Sequence, residues 1–190
     1  MGNPLLNNVG AALAGEPVVT LQHTIWVHGN GAQLQFASSQ LGPAGEKSLV
    51  DTAILVRQGQ GARLEAVGTP LGNFILHFPL STPTFGPGGQ RLRLQSVLLD
   101  FQVARNAVVT EVAAWDGNRR IARFANLGLA GTHLLEVLPV EELPIVTKGI
   151  DVAVTVRVTE GQTGVVVFHA AGIQLATVSN SGQVLAPANS

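Results

Sequence analysis

The stretch that decides the fold is residues 150–158, which read IDVAVTVRV. Every second position is a valine: Val152, Val154, Val156 and Val158. The positions between them are small, polar or charged: Asp151, Ala153, Thr155 and Arg157. Because successive side chains of a β-strand point to opposite faces, this period of two predicts a strand with one dry and one wet face. We expect its valines to be buried on a central or near-central strand, with Asp151 and Arg157 on the other side.

Segments with the same short periodicity lie on both sides of this stretch. The further predicted strands are 21–28, 34–36, 53–57, 73–80, 91–104, 108–115, 120–124, 133–140, 165–170 and 173–178. Connections rich in glycine and proline separate them, and the body of the chain has no convincing helix of ten residues. About ten short strands with such turns predict an all-β fold, an antiparallel β-sandwich of jelly-roll type.

Three local features refine this prediction. The turn residues Gly29-Asn30-Gly31 and Asp116-Gly117-Asn118 each lie between alternating segments, which predicts a hairpin at each. Within 91–104 the apolar face changes parity near Ser96, and one extra residue produces such a change. We therefore expect a β-bulge at Gln95-Ser96.

Length and composition set the organisation. With 190 residues and 19.8 kDa, a single domain has enough chain to bury a core. We divide the chain into an N-terminal arm at 1–20, a β-sandwich domain at 21–180 and a polar tail at 181–190. Only 12% of residues are charged, against about 25% in ordinary soluble proteins, which predicts a weakly charged surface. Self-assembly would explain that surface, and an uncharged polar monomer surface is the alternative.

Several classes of protein are excluded or disfavoured. The absence of cysteine rules out disulfides, thiolate metal sites and cysteine nucleophiles. A net charge of −1 disfavours nucleic acid as a partner. No apolar run reaches the length of a membrane-spanning helix, and the N-terminus lacks the pattern of a secretory signal. We expect a cytoplasmic protein by default, with a removed leader or a surface assembly left open.

Four stretches together resemble a known family. They are Ile25-Trp26-Val27-His28-Gly29-Asn30, His77-Phe78-Pro79 with Thr82-Pro83, residues 92–101 around Ser96-Val97, and Asp116-Gly117 with Arg120-Ile121. Over residues 21–125 the chain resembles a family of small bacterial β-sandwich proteins catalogued as a domain of unknown function. The resemblance implies a β-sandwich fold and supplies no catalytic residue or ligand.

Catalytic and metal-binding patterns are weak. The five histidines are His23, His28, His77, His133 and His169. None forms the His-x-His pair that places two ligands on one strand face, so we expect no metal and no cofactor. The candidate carboxylate pairs for glycoside hydrolysis are Glu141 with Glu142 and Asp100 with Glu111. Adjacent glutamates would point to opposite faces of a strand, so we favour a solvated strand end for Glu141 and Glu142. There is no Gly-x-Ser-x-Gly motif. We expect no enzyme.

Two groups are candidates for binding. Trp26, His28 and Asn30 combine aromatic and amide side chains, the equipment of a platform on which a sugar stacks. The alternative, which we favour, is that both faces of this strand are buried in a sandwich or an interface and that Trp26 is part of the core. The second group is Trp115 with Asp116 and Asn118 at the predicted hairpin tip.

The sequence therefore favours a non-enzymatic structural or self-assembling β-sandwich module whose partner is another copy of itself. The apolar arm residues, Leu5, Leu6, Val9 and Leu13, are expected to dock on a neighbouring copy. The alternative function is a carbohydrate-binding module of lectin type with a glycan as partner.

Overall fold

The computed structural model describes residues 18–35, 53–68 and 72–179, and this part of the chain is built of β-strands. In chain order they are β1 (Val18–His28), β2 (Gln33–Gln35), β3 (Ala53–Gln58), β4 (Gly61–Val67), β5 (Asn73–Leu80), β6 (Arg93–Arg105), β7 (Ala107–Asp116), β8 (Arg119–Leu129), β9 (Thr132–Pro139), β10 (Ile150–Val158) and β11 (Thr163–Ser179). β1 begins three residues before the predicted strand. The rest of the predicted arm and the tail at 181–190 lie outside the described residues.

The strands form two antiparallel sheets that face each other. The first has six strands, in the order β3-β4-β11-β6-β9, with β1 also paired along β11. The second has five, in the order β2-β5-β10-β7-β8. The predicted all-β sandwich is confirmed. Among the described residues, no helix has the length and apolar character needed to cross a membrane.

The core lies between the inner faces of the two sheets. Val152, Val154 and Val156 are fully buried there, and β10 is central because β5 and β7 flank it. The rings of Phe78 and Phe168, one from each sheet, lie 5.5 Å apart between centroids and join the two layers. Asp151 and Arg157 lie on the outer face of β10, so the prediction made from residues 150–158 is confirmed.

The predicted bulge in β6 is also confirmed. Leu94 pairs with Leu175 and Ser96 with Gln174, so Gln95 is the extra residue. Its carbonyl accepts a hydrogen bond of 2.8 Å from the backbone N–H of Val140. The bulge lets β6 keep apolar side chains toward the core on both sides of the parity change.

Of the two predicted hairpins, one is confirmed and one is wrong. Asp116 pairs with Arg119 around Gly117 and Asn118, which joins β7 to β8 as predicted. By contrast, Gly29–Gly31 is a turn of 3-10 helix that carries the chain from β1 in the first sheet to β2 in the second. A Cβ on Gly29 would lie 1.8 Å from the carbonyl oxygen of Phe168, so close backbone approach explains this glycine.

Two strand assignments differ from the prediction. β4 was not predicted, because residues 61–67 mix alanine, arginine and glutamate with few β-branched side chains. The predicted strands 165–170 and 173–178 are one strand, β11, which bulges between Phe168 and Ala170 and continues. β11 is central to the first sheet, with β6 on one side and β4 followed by β1 on the other.

Candidate functional site

A hollow of about 330 Å³ opens on the outer face of the five-stranded sheet. We call it the sheet-face hollow, and its lining is Gln35, Ile75, His77, Glu111, Ala113, Trp115, Gly117, Asp151, Ala153 and Thr155. These residues come from β2, β5, β7 and β10 and from the turn after β7. The volume falls at the lower end of the range for small-molecule sites.

Strand register explains why the face is hollow here. Ala113 on β7 and Ala153 on β10 are direct cross-strand partners at the centre of the sheet, and both are buried. Their methyl groups form a low floor, while the neighbouring outward positions on the same strands carry longer side chains such as Trp115 and Glu111. The depression therefore results from two small residues placed opposite each other.

Trp115 forms one wall of the hollow. It is half-buried on the outer face of β7, and its cross-strand partner on β10 is Asp151. The guanidinium carbon of Arg120 on β8 lies 5.8 Å from the centroid of the indole. Such a cation–aromatic contact holds the ring in place and leaves it as a firm apolar surface within a polar surround.

A hydrogen-bonded chain of three side chains forms the opposite wall. Nδ1 of His77 bonds to Oδ2 of Asp151, and Nε2 of His77 lies 2.7 Å from Oε1 of Gln35. Both ring nitrogens are therefore engaged, which fixes the imidazole plane. The other carboxylate oxygen of Asp151 is buried and has no hydrogen-bond partner among the described residues.

An ion pair closes a third side. Arg123 on β8 donates to both carboxylate oxygens of Glu111, at 3.0 and 2.8 Å. This bidentate pairing is the main cause of a lowered pKa for Glu111, and it raises the pKa of Arg123. Glu111 therefore stays ionised at neutral pH and presents a fixed acceptor to the hollow.

The carboxylates of the hollow are poorly placed for glycoside hydrolysis. Asp151 and Thr155 lie four residues apart on β10, and Thr155 pairs with Glu111. Asp151 and Glu111 are therefore separated by roughly 13 Å along the strands, whereas catalytic pairs lie about 5–9.5 Å apart. The arrangement suits holding a ligand by hydrogen bonds.

The carboxylate pairs considered from the sequence do not form such a site either. Asp100 pairs with Ala170 in the six-stranded sheet and Glu111 with Thr155 in the other, so they lie on opposite outer faces of the sandwich. Glu141 and Glu142 are exposed in the turn after β9. Within residues 18–35, 53–68 and 72–179, no group of three histidine, aspartate or glutamate side chains is placed to hold a metal ion. That the domain needs no metal remains a prediction.

Trp26 and His28 lie two residues apart on β1 and are both exposed, whereas Asn30 is half-buried in the turn that follows. Trp26 is 43% exposed on the outer face of the six-stranded sheet, so its placement in the core is wrong. A Cβ on Gly172 would lie 2.7 Å from Cε3 of Trp26, which means that the indole covers this glycine. Nδ1 of His28 accepts the N–H of Asn30 at 3.2 Å, and Oδ1 of Asn30 is buried. The last two residues shape the turn between the sheets.

The three residues of the second predicted group, Trp115, Asp116 and Asn118, have different surroundings in the structure. Trp115 lines the sheet-face hollow, and Asn118 is exposed in the turn beside Gly117, which also lines it. Asp116 points inward, and its buried carboxylate is hydrogen-bonded to residues 147–149. We therefore interpret Asp116 as a residue that holds the loop 147–149 in place beside the hollow, without contacting a ligand.

The other hollow residues were missed because no short motif links them. His77 lies 74 residues before Asp151 and 42 residues after Gln35, the two residues to which its ring is hydrogen-bonded. One usable signal was present: Ala113 and Ala153 are small residues at outward positions of two predicted strands. Their pairing could not be deduced without the strand order.

Comparison with solved structures gives distant likenesses. A xylan-binding module, CBM15, is 14% identical, with a TM-score of 0.47 over 81% of this chain and 97% of that one. A low affinity xylan-binding module, CBM86, from Roseburia intestinalis is 13% identical, with a TM-score of 0.46 over 80% and 96% of the two chains. A family 11 carbohydrate-binding module from Clostridium thermocellum is 10% identical, with a TM-score of 0.36 over 82% and 94%. At TM-scores below 0.5 these likenesses carry no conclusion about what this chain binds.

No curated protein matches the chain. A family does match it, over residues 20–180, and that match continues past residue 125, where the resemblance noted from sequence stops. The resemblance to a family of unknown function is thereby confirmed. Because the match takes in most of the chain, the protein belongs to the family described as a family of unknown function, DUF6623.

Proposed function

We propose that the chain is a non-enzymatic carbohydrate-binding module whose ligand occupies the sheet-face hollow. The observation that carries the proposal is an indole wall, Trp115, standing beside an alanine floor and ringed by fixed hydrogen-bonding groups. A pyranose ring has an apolar C–H face and an edge of hydroxyl groups. Such a ligand needs one aromatic surface together with several donors and acceptors.

The polar groups supply both kinds of partner. Glu111 presents carboxylate oxygens, which accept from hydroxyls, and Arg123 and Arg120 present N–H donors at the rim. Because His77 and Glu111 are already held by neighbours, they lose little freedom when a ligand binds. Both nitrogens of His77 are hydrogen-bonded, one to Asp151 and one to Gln35, so the imidazole is held in one orientation at the wall of the hollow.

The test is a glycan screen with variants of the hollow. Purified protein is run in affinity gels containing xylan, mixed-linkage glucan, cellulose derivatives or polygalacturonate, and hits are measured by calorimetry. We expect Trp115→Ala to weaken binding at least about tenfold, or about 1.4 kcal/mol, because the stacking surface is lost. Ala153→Leu should also weaken it, since the longer side chain rises from the floor on the face opposite the core.

Trp26→Ala is the matched control, because Trp26 is an exposed tryptophan on the other sheet. It should leave the affinity unchanged. Thermal melts would show that all three variants fold. Equal binding by wild type and Trp115→Ala would contradict the placement of the site, and a screen in which no glycan binds would contradict the function.

Self-association is a second candidate, favoured by apolar side chains on β3 and β9, the outermost strands of the six-stranded sheet among the described residues. Leu134 on β9 is 75% exposed and Ile54 on β3 is 64% exposed. With 12% charged residues, two copies repel each other weakly, so we take a second copy of this chain as the occupant of these edges.

Light scattering checks this candidate. A self-associating chain should have a mass several times 19.8 kDa, and Leu134→Glu with Leu135→Glu should lower that mass, because buried charge opposes the contact. Ser81→Glu, at an exposed loop position, is the control and should leave the mass unchanged. A strictly monomeric protein at tens of micromolar would refute self-association, and carbohydrate binding would remain as the one proposed function.

A further inference from the structure

A second and larger hollow lies along β8, which is the last strand of the five-stranded sheet in the described part of the chain. It encloses about 490 Å³ between residues 120–124 of β8 and residues 139–142, at the end of β9 and in the turn that follows. We call it the edge groove. β8 contributes Ile121 to the lining, and the segment facing it contributes the apolar Pro139 and Val140 and the exposed Glu141 and Glu142.

Two arginines separate the edge groove from the sheet-face hollow. Arg120 and Arg123 both line the groove, while their guanidinium groups contact walls of the hollow. Arg120 lies over Trp115, and Arg123 is paired with Glu111. The barrier between the two spaces is therefore one layer of side chains, which we call the arginine ridge.

The arginine ridge is able to contact a ligand. Arg123 is 51% exposed although it is paired with Glu111, and Arg120 is exposed as well. The guanidinium of Arg120 has no carboxylate partner among the described residues. A guanidinium carries five N–H donors, so Arg120 has donors free to meet hydroxyl or ring oxygens. Glu141 and Glu142, likewise without an ion pair in the described part of the chain, have acceptors free on the far side of the groove.

The two spaces lie in line across the strands. From Gln35 on β2 to Arg123 on β8 the second sheet is crossed in the order β2-β5-β10-β7-β8. Four strand gaps amount to roughly 19 Å, and the edge groove continues beyond the last strand. One sugar ring does not span this distance, whereas an extended chain of several rings does.

From this continuity we propose that the edge groove is a second subsite of the carbohydrate site, so that the ligand is an internal stretch of a linear polysaccharide crossing the arginine ridge. The inference rests on the proposed function. It specifies the class of ligand, since a module for terminal sugars would need the sheet-face hollow alone. Glu141 and Glu142 accept hydroxyl hydrogens in the groove, and Arg120 donates to the sugar that lies on the ridge.

The test compares affinities for a disaccharide and a hexasaccharide of the polysaccharide identified in the screen, measured by calorimetry on the full chain. The hexasaccharide should bind at least about tenfold more tightly. It fills both spaces, yet it loses translational and rotational entropy only once on binding. The double variant Glu141→Ala, Glu142→Ala should bring that ratio close to one. Glu160→Ala, which removes another exposed glutamate, is the matched control and should keep the wild-type ratio.

Arg120→Ala provides a second measurement. It should lower the affinity for the hexasaccharide, whereas Arg91→Ala, which removes an arginine stacked 4.0 Å over the ring of Phe85, should not. Equal affinities of the wild type for the two oligosaccharides would overturn the groove proposal while leaving carbohydrate binding intact. Failure of both to bind would overturn the function itself. Trp115→Ala should weaken both oligosaccharides.

Discussion

Replacing Val154 with aspartate should leave the chain without a cooperatively folded state. Val154 is fully buried on β10, between Leu76 of β5 and Val112 of β7, which are fully buried too. A carboxylate there has no partner, and burying an unpaired charge costs several kcal/mol. Typical domains are stable by only about 5–15 kcal/mol, and the loss of packing around the site adds to that cost.

The measurement is expression in soluble form followed by circular dichroism and thermal unfolding. Arg157→Asp is the matched control, because it puts the same carboxylate on the exposed outer face of the same strand. That variant should unfold cooperatively, close to the wild type. A soluble Val154→Asp variant with a sharp unfolding transition would show that the register of β10 is wrong.

Val154 also shows why the fold class was predictable. Residues 150–158 alternate so regularly that one face must be dry, and a strand with one dry face needs a second layer against it. The β6 bulge was predictable for the same reason, since a change of parity within one strand requires an extra residue near Gln95. Both follow from local periodicity.

Strand pairing depends on distant residues and was not predictable in the same way. The turn at Gly29–Gly31 looks like a hairpin, yet β1 pairs with β11 near the other end of the chain. What decides the path is the close approach of Gly29 to Phe168, 139 residues later, which no local pattern encodes. A glycine-rich turn therefore indicates a change of direction without indicating the partner strand.

The candidate site contains one residue that a local sequence pattern indicates and several that only strand pairing brings together. Trp115 was predicted, because an aromatic residue beside a tight turn is visible in the sequence. His77, Asp151 and Gln35 became neighbours only through the order β2-β5-β10, and their hydrogen bonds join three separate strands. For Trp26 the sequence indicated an exposed indole as one possibility, and the indole is exposed. The packing of one of its faces over Gly172 was not predicted.

Asp116 is the residue whose role changed most between sequence and structure. At the tip of the β7–β8 hairpin it has the chemistry of a ligand-binding group. Its side chain instead is fully buried and accepts four hydrogen bonds from one loop. The donors are the N–H and hydroxyl of Thr147, at 2.9 and 2.6 Å, and the N–H groups of Lys148 and Gly149, at 2.7 and 3.1 Å.

These bonds govern the ionisation of Asp116. Burial by itself would raise the pKa, but the hydrogen bonds from Thr147, Lys148 and Gly149 outweigh it and lower the pKa from 3.8 to about 2. The folded state therefore binds the ionised form better than the unfolded chain does. The resulting stability, roughly 2 kcal/mol, is fully present above the unfolded pKa near 4 and is lost as the pH falls toward about 2.

Asp116→Asn should therefore destabilise the protein by about 3–5 kcal/mol at neutral pH. In either orientation the new amide turns an NH₂ group toward two of the four donors, which breaks those hydrogen bonds, and it removes the charge that strengthened the other two. Urea unfolding near pH 7, pH 5 and pH 2 measures the effect. The gap between wild type and variant should be constant from pH 7 to about pH 5 and should narrow by roughly 2 kcal/mol at the lowest pH, because only the wild type loses an ionised carboxylate there.

Asn118→Ala, at the exposed tip of the same turn, is the control, and its unfolding free energy should stay close to that of the wild type. The loop held by Asp116 also bears on the hollow: Gly117, which lines it, has φ of 62° and lies against the side chain of Lys148. Release of residues 147–149 should therefore weaken glycan binding as well, through the turn that follows Trp115. If Asp116→Asn matched the wild type in unfolding free energy at pH 7, the carboxylate would not be what fastens this loop, and the support we assign to it would be refuted.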